Sequence, residues 1–199
     1  MIVGRRFING SRFLDIGSGG GNYLEVANEL NWNSFGVEID MENIKKTKNL
    51  GLNVFCGTLQ DAHYPDNYFD LIQIKQVLEH VPDPNFIIKE TFRILKGGGV
   101  LVIDVPNQSG LIPLLKSRLN LKRDEYGFLQ PPRHLYGFTQ KTLRMLLQKN
   151  GFKIEKVLLT VPGDPIYQPL IGQNLIERFI FKLSKVMNLG SILVIYAQK

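Results

Sequence analysis

The feature that most constrains this chain is the run Arg12-Phe13-Leu14-Asp15-Ile16-Gly17-Ser18-Gly19-Gly20-Gly21. An apolar strand passes directly into a glycine-rich turn. A helical pattern follows, with Leu24, Ala27 and Leu30 on one face. Without Cβ atoms, such a turn lets the backbone approach a ligand closely. The alternation then continues. Strand-like runs at 34–39, 53–57, 70–74, 100–105, 154–161 and 191–197 are separated by helical patterns at 41–50, 85–95, 139–150 and 170–187. Pro82 and Pro84 mark the entry to the 85–95 helix, Gly97-Gly98-Gly99 its stop, and Thr139 the N-cap of the next one. Alternation of this kind predicts a parallel sheet covered by helices on both faces.

The 199 residues suit one domain over 1–199, with 106–138 as an irregular, proline- and glycine-bearing lid or acceptor-side insertion. No apolar run approaches the ~18 residues of a membrane span, and no signal-peptide core opens the chain, so the expected location is cytoplasmic. The single cysteine excludes an intramolecular disulfide framework, and Cys56, in an apolar run, reads as a small core residue. Charge is uneven. Residues 1–110 hold 10 Lys/Arg against 13 Asp/Glu, net −3, whereas residues 111–199 hold 14 against 5, net +9. A basic half points to an anionic partner or simply to solubility.

At the end of the second strand Glu38, in Gly36-Val37-Glu38-Ile39-Asp40, is placed to accept from ribose hydroxyls. Asp40 has the alternative role of N-cap for the helix that starts at Met41. A dinucleotide G-x-G-x-x-G starting at Gly17 would need glycine at position 22, which is Asn22. The pattern present is G-x-G-x-G after an acid, which disfavours a nicotinamide dehydrogenase.

Residues 13–21 resemble the first motif of class I S-adenosylmethionine-dependent methyltransferases. Further segments match the same family in order: 36–40, 57–70, Arg93-Ile94-Leu95-Lys96-Gly97-Gly98-Gly99, and Val77-Leu78-Glu79-His80-Val81-Pro82-Asp83-Pro84. The last is similar to the ubiquinone- and menaquinone-type enzymes. The resemblance implies an α/β, doubly wound, Rossmann-like three-layer sandwich. Its seven-stranded sheet would be mostly parallel with the last strand antiparallel. It also implies S-adenosylmethionine as cofactor. Asp15, Gly17, Ser18, Gly19 and Gly21 would hold the methionine portion and Glu38 the ribose. Ile39, Thr58 and Leu59 would meet the adenine, and Gln76, with Lys75, would lie beside the transferred methyl. Many relatives carry Asp where this chain has Thr58.

The expected reaction is in-line transfer of the methyl to a small-molecule or glycan-linked acceptor, at oxygen in preference to nitrogen or carbon. A general base helps when the acceptor is a hydroxyl. His134, in Pro131-Pro132-Arg133-His134-Leu135-Tyr136-Gly137-Phe138-Thr139, and His80 are the candidate bases. Arg133 and Tyr136 are candidate acceptor-binding residues, and His63 reads as a surface loop residue. Some ubiquinone-type relatives bind a metal through two acids and a histidine here. The first of those acids aligns with Gln76, so no metal is expected. An amphipathic stripe within 170–187 suits covering the sheet, with interfacial membrane contact as the alternative. About eleven residues precede the first strand, so the acceptor pocket is open, completed by a second subunit in a homodimer, or shaped for a large acceptor. An RNA or protein methyltransferase and a non-catalytic cofactor-binding protein stand as rivals. Lys75-Gln76-Val77-Leu78 is not the Asn-Pro-Pro-Tyr-type amine motif, and no RNA-binding module is appended, which disfavours a nucleic-acid partner.

Overall fold

The computed structural model describes residues 7–111, 114, 133–160 and 189–199. The predicted 170–187 helix and most of the 106–138 interval lie outside the described residues. Strands β1 (Arg12–Ile16), β2 (Asn33–Glu38), β3 (Val54–Cys56), β4 (Phe69–Lys75), β5 (Leu95–Pro106), β6 (Lys153–Thr160) and β7 (Ile192–Gln198) form one sheet. Their spatial order is β3-β2-β1-β4-β5-β7-β6. β1 to β5 pair in parallel, and β7 runs antiparallel to both β5 and β6, as expected. β2 flanks β1 on one side and β4 on the other, so the order reverses there. The reversal opens a crevice at the carboxyl ends of the strands.

Period-two alternation builds the layers. Phe13, Leu71 and Val100 pack against Leu24 and Ala27 of α1 (Asn22–Glu29). Their neighbours Leu14, Ile72 and Leu101 face the other way, with Ile88 of α3 (Pro84–Ile94) and Leu143 and Leu147 of α4 (Gln140–Lys149). Both faces being covered explains why the central strands read as almost unbroken apolar runs.

The helix starts follow local chemistry. Asp40 Oδ1 accepts from Asn43 N at 2.9 Å and caps α2 (Met41–Asn49). Asp83 caps α3 through Phe86 N at 3.0 Å, with Pro84 in the first turn. Thr139 and Thr142 close a capping box on α4.

Three sequence expectations are corrected. Leu30 is not on the buried face of α1: it is the C-cap residue, and 49% of it is exposed. Cys56 is exposed, because β3 is a three-residue edge strand with a covering neighbour on one side only. The glycines 97–99 do not stop α3. It ends at Ile94, and Leu95 is already extended and paired with Phe69. The next pair is Leu71 with Val100, so the glycines form an irregular stretch inside β5, where Gly98 has φ +78°.

Candidate active site

The loops at the carboxyl ends of β1 to β4 enclose a cavity of about 810 Å³. Its wall includes Gly17, Glu38, Ile39, Thr58, Leu59, Lys75, Gln76 and Val77, and it continues through His80, Val81, Pro82, Phe86 and Ile87. Six of the ten residues assigned to the cofactor from sequence therefore share one surface: Gly17, Glu38, Ile39, Thr58, Leu59 and Gln76.

The glycine turn is bent tightly. Gly17 has φ +73°, and a Cβ there would stand 2.3 Å from Val77 Cγ2. Its amide and that of Ser18 both donate to Val37 O, at 2.8 and 3.1 Å, which ties the turn to β2. The Ser18 side chain is buried beneath the turn, and Gly21 (φ +86°) is the N-cap position of α1. Glu38 is held rigidly. Its Oε2 accepts from Gly19 N at 2.7 Å, and its Oε1 from Ile39 N and Asp40 N at 2.7 and 2.8 Å. Ile39 is 71% exposed on the cavity wall, an apolar face that a flat ring could cover. Thr58 Oγ1 donates to Asp61 Oδ2 at 2.6 Å, so a carboxylate is present near the adenine-type position, three residues later than in many relatives.

Charge is concentrated below this surface. Asp15 is 2% exposed and accepts from Gln73 Nε2 at 3.3 Å. Burial pushes its pKa up to about 7, opposed by the Gln73 hydrogen bond and the Lys75 charge. Asp104, at the end of β5, accepts from the side chain of Gln76, and its carbonyl accepts from Gln76 N at 2.9 Å. Burial raises Asp104 to about 6. Gln76 itself sits at φ +53°, so the chain is bent sharply as it leaves β4. Sequence reading missed Asp104; the signal was an acid inside the otherwise apolar 100–105 run.

On the acceptor side, the segment after β4 is stitched to the segment before α4. Glu79 O accepts from Leu135 N and Tyr136 N at 2.8 and 3.2 Å, and Tyr136 Oη donates to Pro82 O at 2.9 Å. His80 Nδ1 lies 2.5 Å from Arg133 O. The two predicted bases, 54 positions apart in sequence, stand with ring centroids 4.9 Å apart. His80 lines the cavity; His134, Arg133 and Tyr136 stand behind it and are not on its wall. His63 is exposed with φ +48°, as a loop residue.

Glu79 was read only as a companion of His80. Its side chain is 2% exposed, neither carboxyl oxygen has a hydrogen-bond partner among the described residues, and Oε1 is 3.8 Å from His80 Nε2. Burial raises its pKa to about 7. Glu79, His80 and His134 also offer one donor atom each within 4.8 Å of one another, a geometry able to hold a metal. His134 thus supplies a third donor from a separate segment, a juxtaposition no sequence spacing announces.

The profile of a family described as "Methyltransferase domain" matches residues 3–157. This chain belongs to that family. An uncharacterized protein of Methanocaldococcus jannaschii is 27% identical over 157 residues, 79% of this chain and 72% of the relative. A ubiquinone biosynthesis O-methyltransferase of Psychrobacter arcticus is 31% identical over 112 residues. That stretch is 50% of this chain and 42% of the relative, so the methyltransferase spans less than half of that enzyme's length. Among solved structures, a SAM-dependent methyltransferase of Methanosarcina mazei superposes with TM-score 0.69 at 25% identity, over 100% of this chain and 96% of that one. No helix among the described residues is long and apolar enough to cross a membrane.

Proposed function

We propose that this methyltransferase moves a methyl group from S-adenosylmethionine to a hydroxyl of a small aromatic acceptor, with His80 as general base. The single observation that carries the base assignment is the hydrogen bond of His80 Nδ1 to Arg133 O at 2.5 Å. A carbonyl only accepts, so Nδ1 carries a proton, and in the neutral form of the ring Nε2 is the nitrogen left with a lone pair.

The residues fit the cofactor. The cavity is large enough, the tight turn at Gly17 leaves the backbone bare, and Ile39 and Leu59 offer apolar surface beside the fixed carboxylate of Glu38. S-adenosylmethionine supplies the methyl on a sulfonium already activated for displacement. What remains for the chain is alignment, which can supply ~7–11 kcal/mol, and removal of the hydroxyl proton, roughly 10²–10⁴-fold. Asp15, Gly17 to Gly21 and Glu38 orient the donor. Val77, Val81, Pro82, Phe86 and Ile87 form an apolar wall around His80. That wall favours an aromatic acceptor over the glycan-linked or anionic ones suggested by the basic C-terminal half. Glu79, directly below His80, offsets the positive charge of the imidazolium once the proton has moved. His134 and Arg133 hold the ring in place from behind. The relatives named as ubiquinone biosynthesis O-methyltransferases support methylation at oxygen.

The test is formation of S-adenosylhomocysteine with a panel of catechols and phenols. His80→Ala is expected to lower kcat by about 10²-fold with cofactor affinity unchanged. Unaltered kcat removes His80 as base. We assign no metal to the reaction, because Gln76, where an acid would complete the ligand set of the ubiquinone-type enzymes, is bound to Asp104 instead. Excess chelator should therefore leave turnover intact. Turnover lost to chelator and restored by a divalent cation would reassign Glu79, His80 and His134 as ligands.

A further inference from the structure

The glycine turn gives the methionine end of the cofactor shape, but few free donors. The amides of Gly17, Ser18, Gly19 and Gly21 are all engaged, with Val37 O, Val37 O, Glu38 Oε2 and Ser18 O respectively. The carboxyl groups near the turn, Asp15 and Glu38, suit the ammonium and ribose of the cofactor and repel its carboxylate. Among the described residues, Lys75 is the one lysine or arginine on the cavity wall. Its ammonium is pinned at the start of α1, donating to Tyr23 Oη and lying 4.7 Å from the centre of the Tyr23 ring. Tyr23 is the second residue after the turn. A lysine beside a sulfonium would be repelled; with a carboxylate to receive, the same lysine is attracted.

We infer that Lys75, held in place by Tyr23, binds the α-carboxylate of the S-adenosylmethionine methionine. This rests on S-adenosylmethionine being the donor. The zwitterion is then read at both ends, with the charge of buried Asp15 acting on the ammonium from below the cavity wall and Lys75 receiving the carboxylate. Compounds lacking the carboxylate are discriminated against. A charge-assisted hydrogen bond of this kind corresponds to about 10- to 100-fold in affinity.

The experiment is calorimetric titration of the whole chain with S-adenosylmethionine and with decarboxylated S-adenosylmethionine, which keeps the amine and the sulfonium. Wild-type protein is expected to prefer the carboxylated compound by about 10- to 100-fold. Lys75→Met should bring the ratio close to one, and Lys75→Arg should keep most of it. Tyr23→Phe, which removes only a hydroxyl at a partly exposed position, should narrow the ratio several-fold, and carries the test if Lys75→Met does not fold. A ratio unchanged in Lys75→Met and Tyr23→Phe overturns the assignment, as does equal weakening of both compounds, which marks a structural role. If the wild type binds neither compound, the cofactor reading fails first and the assignment with it. Binding of both with equal affinity overturns the assignment alone.

Discussion

Gly17→Ala is expected to cost the methyltransferase about 2–5 kcal/mol of folding stability and, because the cavity wall must shift, at least about tenfold in cofactor affinity. Two effects add. At φ +73° an L side chain is strained by roughly 1–2 kcal/mol. The new Cβ would also stand 2.3 Å from Val77 Cγ2. Val77 is β-branched and stiff at χ1, so it cannot swing clear, and it must shift together with the cavity wall it forms. Gly19→Ala is the control. Gly19 also has positive φ, +51°, but a Cβ there meets nothing within 4 Å, so only the strain remains. Titration with S-adenosylmethionine should separate the two variants by at least tenfold. Wild-type affinity in Gly17→Ala would show that the turn does not contact the ligand.

Asp15→Asn is expected to stabilise the empty protein while weakening its grip on the cofactor. Asp15 has a folded pKa near 7 against 3.8 in a solvated chain, chiefly through burial. A raised folded pKa means the native state holds the proton more tightly than the unfolded state does. The stability this confers is complete below about pH 4 and falls away as pH rises to about 7. Above that, the cost of the buried charge is constant at about 4 kcal/mol, from roughly three units at 1.36 kcal/mol each. Asparagine carries no such charge. In denaturant titrations the variant should therefore match wild type near pH 4 and exceed it by about 4 kcal/mol at pH 8. Glu79 and Asp104 change stability in the same direction, but they are common to both proteins and cancel in the difference. At pH 8 S-adenosylmethionine should bind the variant at least about tenfold more weakly if, as proposed, the buried carboxylate below the cavity wall attracts the cofactor's ammonium. A variant whose stability relative to wild type does not change with pH would mean that the folded pKa of Asp15 is not raised above its value in the unfolded chain.

Much of the fold was legible because it is encoded locally. Each apolar run and each cap, such as Asp40, Asp83 and Thr139, needs only neighbouring residues to act. Where an element depended on what covers it, local reading failed. Cys56 looks like a core residue in sequence, but an edge strand leaves it exposed. The glycines 97–99 look like a helix stop, yet pairing with β4 draws them into β5.

The candidate site divides in the same way. The residues proposed for the cofactor could be grouped from sequence because the β1 turn, Glu38 and Thr58 each lie at or just past the end of their own strand, and a parallel sheet brings all such ends to one edge. The acceptor side proposed for the histidines was only half visible. His80 and His134 were each named, but that one lines the cavity and the other stands behind it depends on the backbone bonds from Glu79 O to Leu135 and Tyr136. The burial of Glu79, the Asp104–Gln76 pair and the Lys75–Tyr23 pair depend on residues from different strands and helices. Sequence by itself determined the order of strands and helices and the chemistry offered at each strand end, since periodicity and turn residues are local properties. Only the tertiary structure decided which carboxyl groups lose their water and which side chains meet, because burial and juxtaposition arise when distant segments pack.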